Sequence, residues 1–204
     1  MIVYFRLFIF LIFSLQLYAG SLLGHIKFKD DQGNRQDPRR LVIVLKLKTL
    51  DSDKSMERDI HEWLINESCV PYILVVRPSD IIKFRQESKT IRDLLISGRD
   101  GLYILGNKHR LQVRDFERKG YYTVQEHFGA GVLGHLIVDN FDYVLRPGKH
   151  GLMKLDNLPH GYYEVKIYHS LGEQPLKSEL RILESETTSL SLDIDRQMLM
   201  RGGI

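Results

Sequence analysis

Leu155-Asp156-Asn157-Leu158-Pro159-His160-Gly161-Tyr162-Tyr163-Glu164-Val165-Lys166-Ile167 is the stretch on which the fold turns. Proline presets its own φ and glycine accepts conformations closed to other residues, so Pro159 to Gly161 predicts a tight turn closing a hairpin. Beyond it, Tyr163, Val165 and Ile167 recur at every second position, the period that puts side chains on one face of a strand. Tyr163 is therefore expected in the core rather than at a ligand.

The same period runs through the rest of the chain. Gly24-His25-Ile26-Lys27-Phe28-Lys29-Asp30 alternates, turns at Asp31-Gln32-Gly33-Asn34, and passes through a polar loop, Arg35 to Arg40, into Leu41-Val42-Ile43-Val44-Leu45-Lys46-Leu47. Charged residues crowd Asp51 to Asp59, which reads as a loop or short helix. Strands are then expected over 73–76, 81–85, 94–96, 109–115, 121–126, 133–138, 151–155, 161–170, 178–183 and 187–194. Gly129, Gly131 and Gly134 punctuate the approach to and start of the sixth of these. Short strands divided by Gly and Pro turns predict an all-β sandwich or a pair of sandwiches. The tail, 196–204, carries no pattern and is expected to fray.

Ahead of the first strand stands an apolar leader, Met1 to Ala19, with one charge, Arg6, and a run from Leu7 to Phe13 that continues to Leu17. Leu17-Tyr18-Ala19 before Gly20-Ser21 predicts a signal peptide cut after Ala19 and a periplasmic or secreted protein. The run falls short of the ~20 residues of a stable span, so membrane attachment would need an uncleaved leader. Without the leader, roughly 185 residues remain, enough for one large or two small β domains with a real core.

Across the chain, 29 Lys and Arg face 26 Asp and Glu. That balance demands neither nucleic acid nor an anionic membrane as partner. The single cysteine, Cys69, excludes an internal disulfide despite the expected export. It lies in Ser68-Cys69-Val70-Pro71-Tyr72-Ile73-Leu74-Val75-Val76, an apolar run that predicts a buried thiol. Asn66-Glu67-Ser68 forms a glycosylation sequon, meaningful only in a eukaryotic secretory path.

Two resemblances organise these strands. Gly24-x-Ile26-x-Phe28-x-Asp30-x-x-Gly33 followed by Val42-x-Val44 is similar to the opening of carboxypeptidase-regulatory or prealbumin-like domains, and Pro159-x-Gly161-x-Tyr163 looks like their closing signature. Between them, Val76, Ser79, Ile82, Phe84, Gln86, Ser88, Arg92, Asp93 and Leu94, then Phe116, Gly120, Tyr122, Val124, Glu126, Gly129, Val132, Gly134, Leu136 and Val138, keep a characteristic spacing. It resembles the cupredoxin-like domain of exported bacterial proteins described as methylamine-utilisation or plastocyanin-like. The resemblance implies a cupredoxin-like Greek-key sandwich packed with, or inserted in, a second small prealbumin-like β-sandwich. Its implied organisation is a signal peptide over 1–19, opening strands over 20–50 and a linker or short helix over 51–70. The cupredoxin-like domain then covers 71–138, the closing strands 139–195 and the tail 196–204.

The family's copper is held by a thiolate, two imidazoles and a weak axial thioether, because that set accommodates both copper oxidation states. Here Arg92 stands for the first His, Glu126 for the Cys, Gly129 for the second His and Val132 for the Met. The resemblance therefore carries the fold and not the electron transfer, and no cofactor is expected. Arg92 and Glu126 are expected to approach each other, since their counterparts converge on one metal. Were a metal held by displaced ligands, His109, His127 and His135 would be the fallback set, although no His-x-His, Cys-x-x-Cys or His-Glu-x-x-His spacing supports one. His150, His160 and His169 fall near turns and strand ends, and no Gly-x-Ser-x-Gly elbow or phosphate loop accompanies them.

The reading that follows is a non-enzymatic exported β-sandwich, metal-free, with a binding or envelope-scaffold role toward an envelope protein or a glycan. One alternative is a periplasmic copper-binding or electron-transfer protein with displaced ligands. Another is a carbohydrate-binding or adhesion-type module whose Tyr103, Tyr121 and Tyr122 form a platform. The basic and aromatic residues from Lys108 to Tyr122 are diluted by Asp115 and Glu117, so they read as a solvated edge rather than a polyanion surface.

Overall fold

The structure, a computed structural model, describes residues 19–30, 32–48, 58–87, 93–98, 101–106, 111–127, 129, 131–195 and 197–198. The expected leader up to residue 18, the first part of the expected 51–70 linker, Arg92, His109 and all of the expected tail except 197–198 lie outside them.

Within these bounds the chain is all-β. Its strands are β1 (Ala19–Lys29), β2 (Leu41–Leu47), β3 (Ile60–Ile65), β4 (Cys69–Val70), β5 (Ile73–Val76), β6 (Ile81–Gln86), β7 (Leu94–Gly98), β8 (Gly101–Leu105), β9 (Leu111–Asp115), β10 (Gly120–Glu126), β11 (Val132–Val138), β12 (Tyr143–Leu145), β13 (Leu152–Pro159), β14 (Gly161–His169), β15 (Gly172–Ile182) and β16 (Thr187–Asp195), with a 3-10 turn at Pro38–Arg40. Two sheets, ordered β13-β1-β16 and β12-β2-β14-β15, are built from the two ends of the chain. Their inner faces meet over Leu22, Ile26, Phe28, Ile43, Leu45, Tyr163, Val165 and Ile167. Two more sheets, β4-β3-β6-β9 and β5-β11-β10-β7-β8, come from the middle. They enclose a second core of Trp63, Ile82, Phe84, Phe116, Tyr122, Val124 and Leu136.

A third apolar layer joins the two bodies. Val42 and Val44 of β2 and Tyr168 of β14 pack with Ile73 and Val75 of β5, Ile137 of β11 and Phe141. Strands β2 and β5 are thus buried on both faces. That explains why Leu41-Val42-Ile43-Val44-Leu45 and Ile73-Leu74-Val75-Val76 are continuous apolar runs, while one-sided strands such as β1 alternate. Each large aliphatic side chain buried there contributes about 1.5–3 kcal/mol relative to exposure.

Two expectations need correction. The stretch 51–70, expected as a linker or short helix, ends in strands: Ile60–Ile65 runs parallel to β6 and antiparallel to β4. Trp63 drives this, fully buried with its indole N–H donating to the Pro71 carbonyl at 2.8 Å. The Pro159–Gly161 turn closes no hairpin either. β13 pairs with β1, whereas β14 pairs with β2 and β15, so the turn carries the chain from one sheet to the other. The Tyr163 hydroxyl fastens this corner by donating to the Pro159 carbonyl, 2.8 Å away and four residues back. The second body repeats the device, with the Tyr122 hydroxyl donating to the Arg118 carbonyl at 3.0 Å.

Candidate functional site

The corner that the resemblance assigns to copper lies where β10 hands over to β11. Glu126 ends β10 and is paired with Leu94, and alternation places it on the face of Tyr122 and Val124. The His127 backbone N–H donates to the Asp93 carbonyl at 2.8 Å, and the Gly129 N–H donates to the Glu126 carbonyl at 3.1 Å. The turn therefore folds back on the residue that precedes β7. A Cβ on Gly129 would stand 2.8 Å from the Glu126 Cβ and 2.9 Å from its Oε2, so the turn at this position leaves no space for an imidazole. Val132 opens β11 with its side chain 42% exposed. Arg92 lies outside the described residues, so its expected contact with Glu126 does too.

A carboxylate, a glycine and an alkyl group do not fit copper of the blue type, which needs a thiolate. Cys69 does not supply one. It is buried, its thiol is pushed up to about 12 by burial, and it packs so tightly on β11 that a Cβ at Gly134 would lie 2.6 Å from its own Cβ.

Of the fallback histidines, the structure places His135 away from this corner. His109 lies outside the described residues, and His127 occupies the turn after β10. His135 belongs to the opposite face of the sheet, the face of Ile137, between the rings of Tyr72 and Tyr121 at 5.4 and 5.1 Å. Only 5% exposed, it is held neutral by burial, which lowers its pKa to about 4. Its Nδ1 has no hydrogen-bond partner among the described residues.

Sequence reasoning passed over the group that does converge. Asp59, His61 and Asp80 bring three potential ligand atoms within 4.8 Å of one another. The period-2 spacing of Asp59 and His61 is the available signal, but Asp80 arrives only through the β5–β6 turn. Its carboxylate is already committed: Oδ2 accepts from the Arg77 N–H at 2.8 Å and stands 3.0 Å from His61 Nε2, while Oδ1 accepts from the Asp59 N–H at 3.1 Å. The Arg77 guanidinium pairs with Asp59 at 2.9 Å and lies 4.9 Å over the Phe141 ring. A resident cation leaves little for a metal to gain, so the arrangement acts as a knot tying the β5–β6 turn to β3 and to residue 141.

The expected platform of Tyr103, Tyr121 and Tyr122 is not formed. Tyr122 is 1% exposed, and Tyr103 packs edge-on against Phe116 at 5.2 Å and Tyr122 at 6.4 Å. Tyr121 points the other way, into the layer between the bodies, where its hydroxyl donates to the His169 carbonyl at 3.1 Å. Successive residues of one strand face opposite sides, so Tyr121 and Tyr122 cannot share a surface.

Polar side chains concentrate at the seam between the bodies. Asp139, just past β11, accepts from Lys166 Nζ and from the Tyr168 hydroxyl, each at 2.7 Å, and from the Asn140 N–H at 2.9 Å. Burial raises its carboxyl, but the hydrogen bonds from Lys166 and Tyr168 and the Lys166 charge outweigh it and hold the group below the usual carboxylate range. Burial first, and then Asp139, push the Tyr168 hydroxyl upward. Arg146 adds a further link, donating to the Ile73 carbonyl at 2.6 Å. No protein-family model matches the chain, and no curated protein matches it in sequence.

Proposed function

We propose that the chain is an exported, non-enzymatic β protein, a metal-free relative of the cupredoxins that serves as a binding or scaffold subunit of a cell envelope. The observation that supports this reading is the corner between β10 and β11, where Glu126, the close-packed turn at Gly129 and Val132 offer no soft donor at the positions that the resemblance assigns to copper. An all-β fold whose corner lacks copper-binding side chains is what a module retained for its surface would present. The seam supports the same reading. Hydrogen bonds donated by Lys166 to Asp139, by Tyr121 to the His169 carbonyl and by Arg146 to the Ile73 carbonyl cross between the bodies, joining them into one unit that can present a surface. Export rests on the apolar leader, and among the described residues no helix is long and apolar enough to cross a membrane.

Recovery of the chain from fractionated cells tests the proposal. The expected result is mature protein beginning at Gly20 in the envelope or medium, migrating under native conditions in an assembly larger than its own mass. Cytoplasmic protein with Met1 intact, or a species of monomer mass in every fraction, would overturn it.

A further inference from the structure

We infer that the seam holds a binding site for a small oxyanion, a carboxylate or phosphate group on a body no larger than one sugar ring. A cavity of about 260 Å³ opens there, walled by β14 and β15 on one side and by the start of β10 and the end of β11 on the other. Lys119, Lys166, Lys177, Asp139, Tyr168 and Gln174 line it. Ligand clefts favour such junctions, and this one is below the ~300–1,000 Å³ range of drug-sized sites, so the occupant is small.

The charge pattern selects its sign. Lys166 and Lys177 stand directly opposite each other in the β14–β15 ladder, an arrangement in which like charges repel. Lys166 is compensated, with Asp139 at 2.7 Å and Glu164 at 3.7 Å. Asp139 is in turn fully engaged by Lys166, Tyr168 and the Asn140 N–H, leaving the cavity no spare negative charge. Among the described residues no acid forms an ion pair with Lys119 or Lys177. Two exposed ammonium groups with no acid paired to them among the described residues, one from each body, thus share a concave wall with the Gln174 amide. Such a recess focuses positive potential, and lysine binds phosphate or carboxylate as a point charge. The site is separate from the β10–β11 corner and does not depend on export or on the metal-free reading.

The test is a titration of the mature chain with inorganic phosphate, with glucuronate and with neutral glucose, followed by backbone amide NMR at low salt. Saturable shifts centred on Gly120, Asp139 and Lys177 are expected with phosphate, glucuronate or both, and none with glucose. The response to phosphate alone or to glucuronate alone identifies the preferred group. The double variant Lys119→Gln/Lys177→Gln, whose side chains leave the core untouched, should weaken binding at least tenfold with its amide spectrum otherwise preserved. Absence of saturation with both anions, equal shifts with glucose, or undiminished affinity in the double variant would overturn the inference.

Discussion

Acidification should loosen this protein through His135. Burial between Tyr72 and Tyr121 lowers the His135 pKa from 6.5 to about 4. The folded chain therefore binds this proton more weakly than the unfolded chain. The stability it withholds is fully present above pH 6.5 and is lost as pH falls toward 4, below which this group adds nothing further. Each tenfold weakening of proton binding is worth about 1.36 kcal/mol, so the loss across that window is about 3 kcal/mol. Asp30, Asp37 and Asp139 also titrate away from their ordinary value, but downward, so they begin to cost stability only below the free carboxyl value of about 3.9. Urea unfolding at pH 7, 6, 5 and 4, followed by tryptophan fluorescence from buried Trp63, reads the effect directly. His135→Phe, which keeps a ring between the tyrosines, should flatten the curve by about 2–3 kcal/mol over this range. Identical pH dependence in the wild type and His135→Phe would refute the reasoning.

Other perturbations have separate readouts. Asp139→Ala removes the closer of the two acids beside Lys166, leaving Glu164 at 3.7 Å, and should cost about 3 kcal/mol in urea unfolding, whereas the double change with Lys166→Met should recover a large part of that loss. Tyr122→Phe and Tyr163→Phe should each cost about 1 kcal/mol, by losing the corner hydrogen bond to Arg118 or Pro159 while keeping the ring, and thermal melts of the two should match. Cys69 should resist thiol reagents at pH 8 in the folded chain and react at once in denaturant, because burial pushes its thiol up to about 12. Native labelling as fast as denatured labelling would contradict that.

Much of the fold was legible wherever one face of a strand is buried. Alternation in Gly24–Asp30, Tyr121–Glu126 and Gly161–Ser170 marks β1, β10 and β14 to within a few residues. It fails where burial differs from that pattern. β8 leaves Leu102 59% and Ile104 52% exposed at a sheet edge, so its apolar residues carry no inward signal. β3 follows a charged run that masks Trp63. The corner at Pro159 reads as a hairpin because a local turn does not reveal which sheet receives the next strand. The repeated pentapeptides Gly120-Tyr121-Tyr122-Thr123-Val124 and Gly161-Tyr162-Tyr163-Glu164-Val165 mark the same corner twice. They would have placed Tyr122 in the core with Tyr163. The lack of thiolate or imidazole at Glu126, Gly129 and Val132 could be read from residue identity alone. The seam could not, because Asp139 just past β11, Lys166 within β14 and Lys177 within β15 are brought together only by the tertiary pairing.

Copper equilibration of the purified mature chain, followed by dialysis, elemental analysis and an absorption spectrum, addresses the central claim most directly. Glu126, Gly129 and Val132 offer no soft donor and the Cys69 thiol stays protonated, so the expected result is no intense charge-transfer band and no stoichiometric copper. One copper retained per chain, with or without colour, would contradict the account.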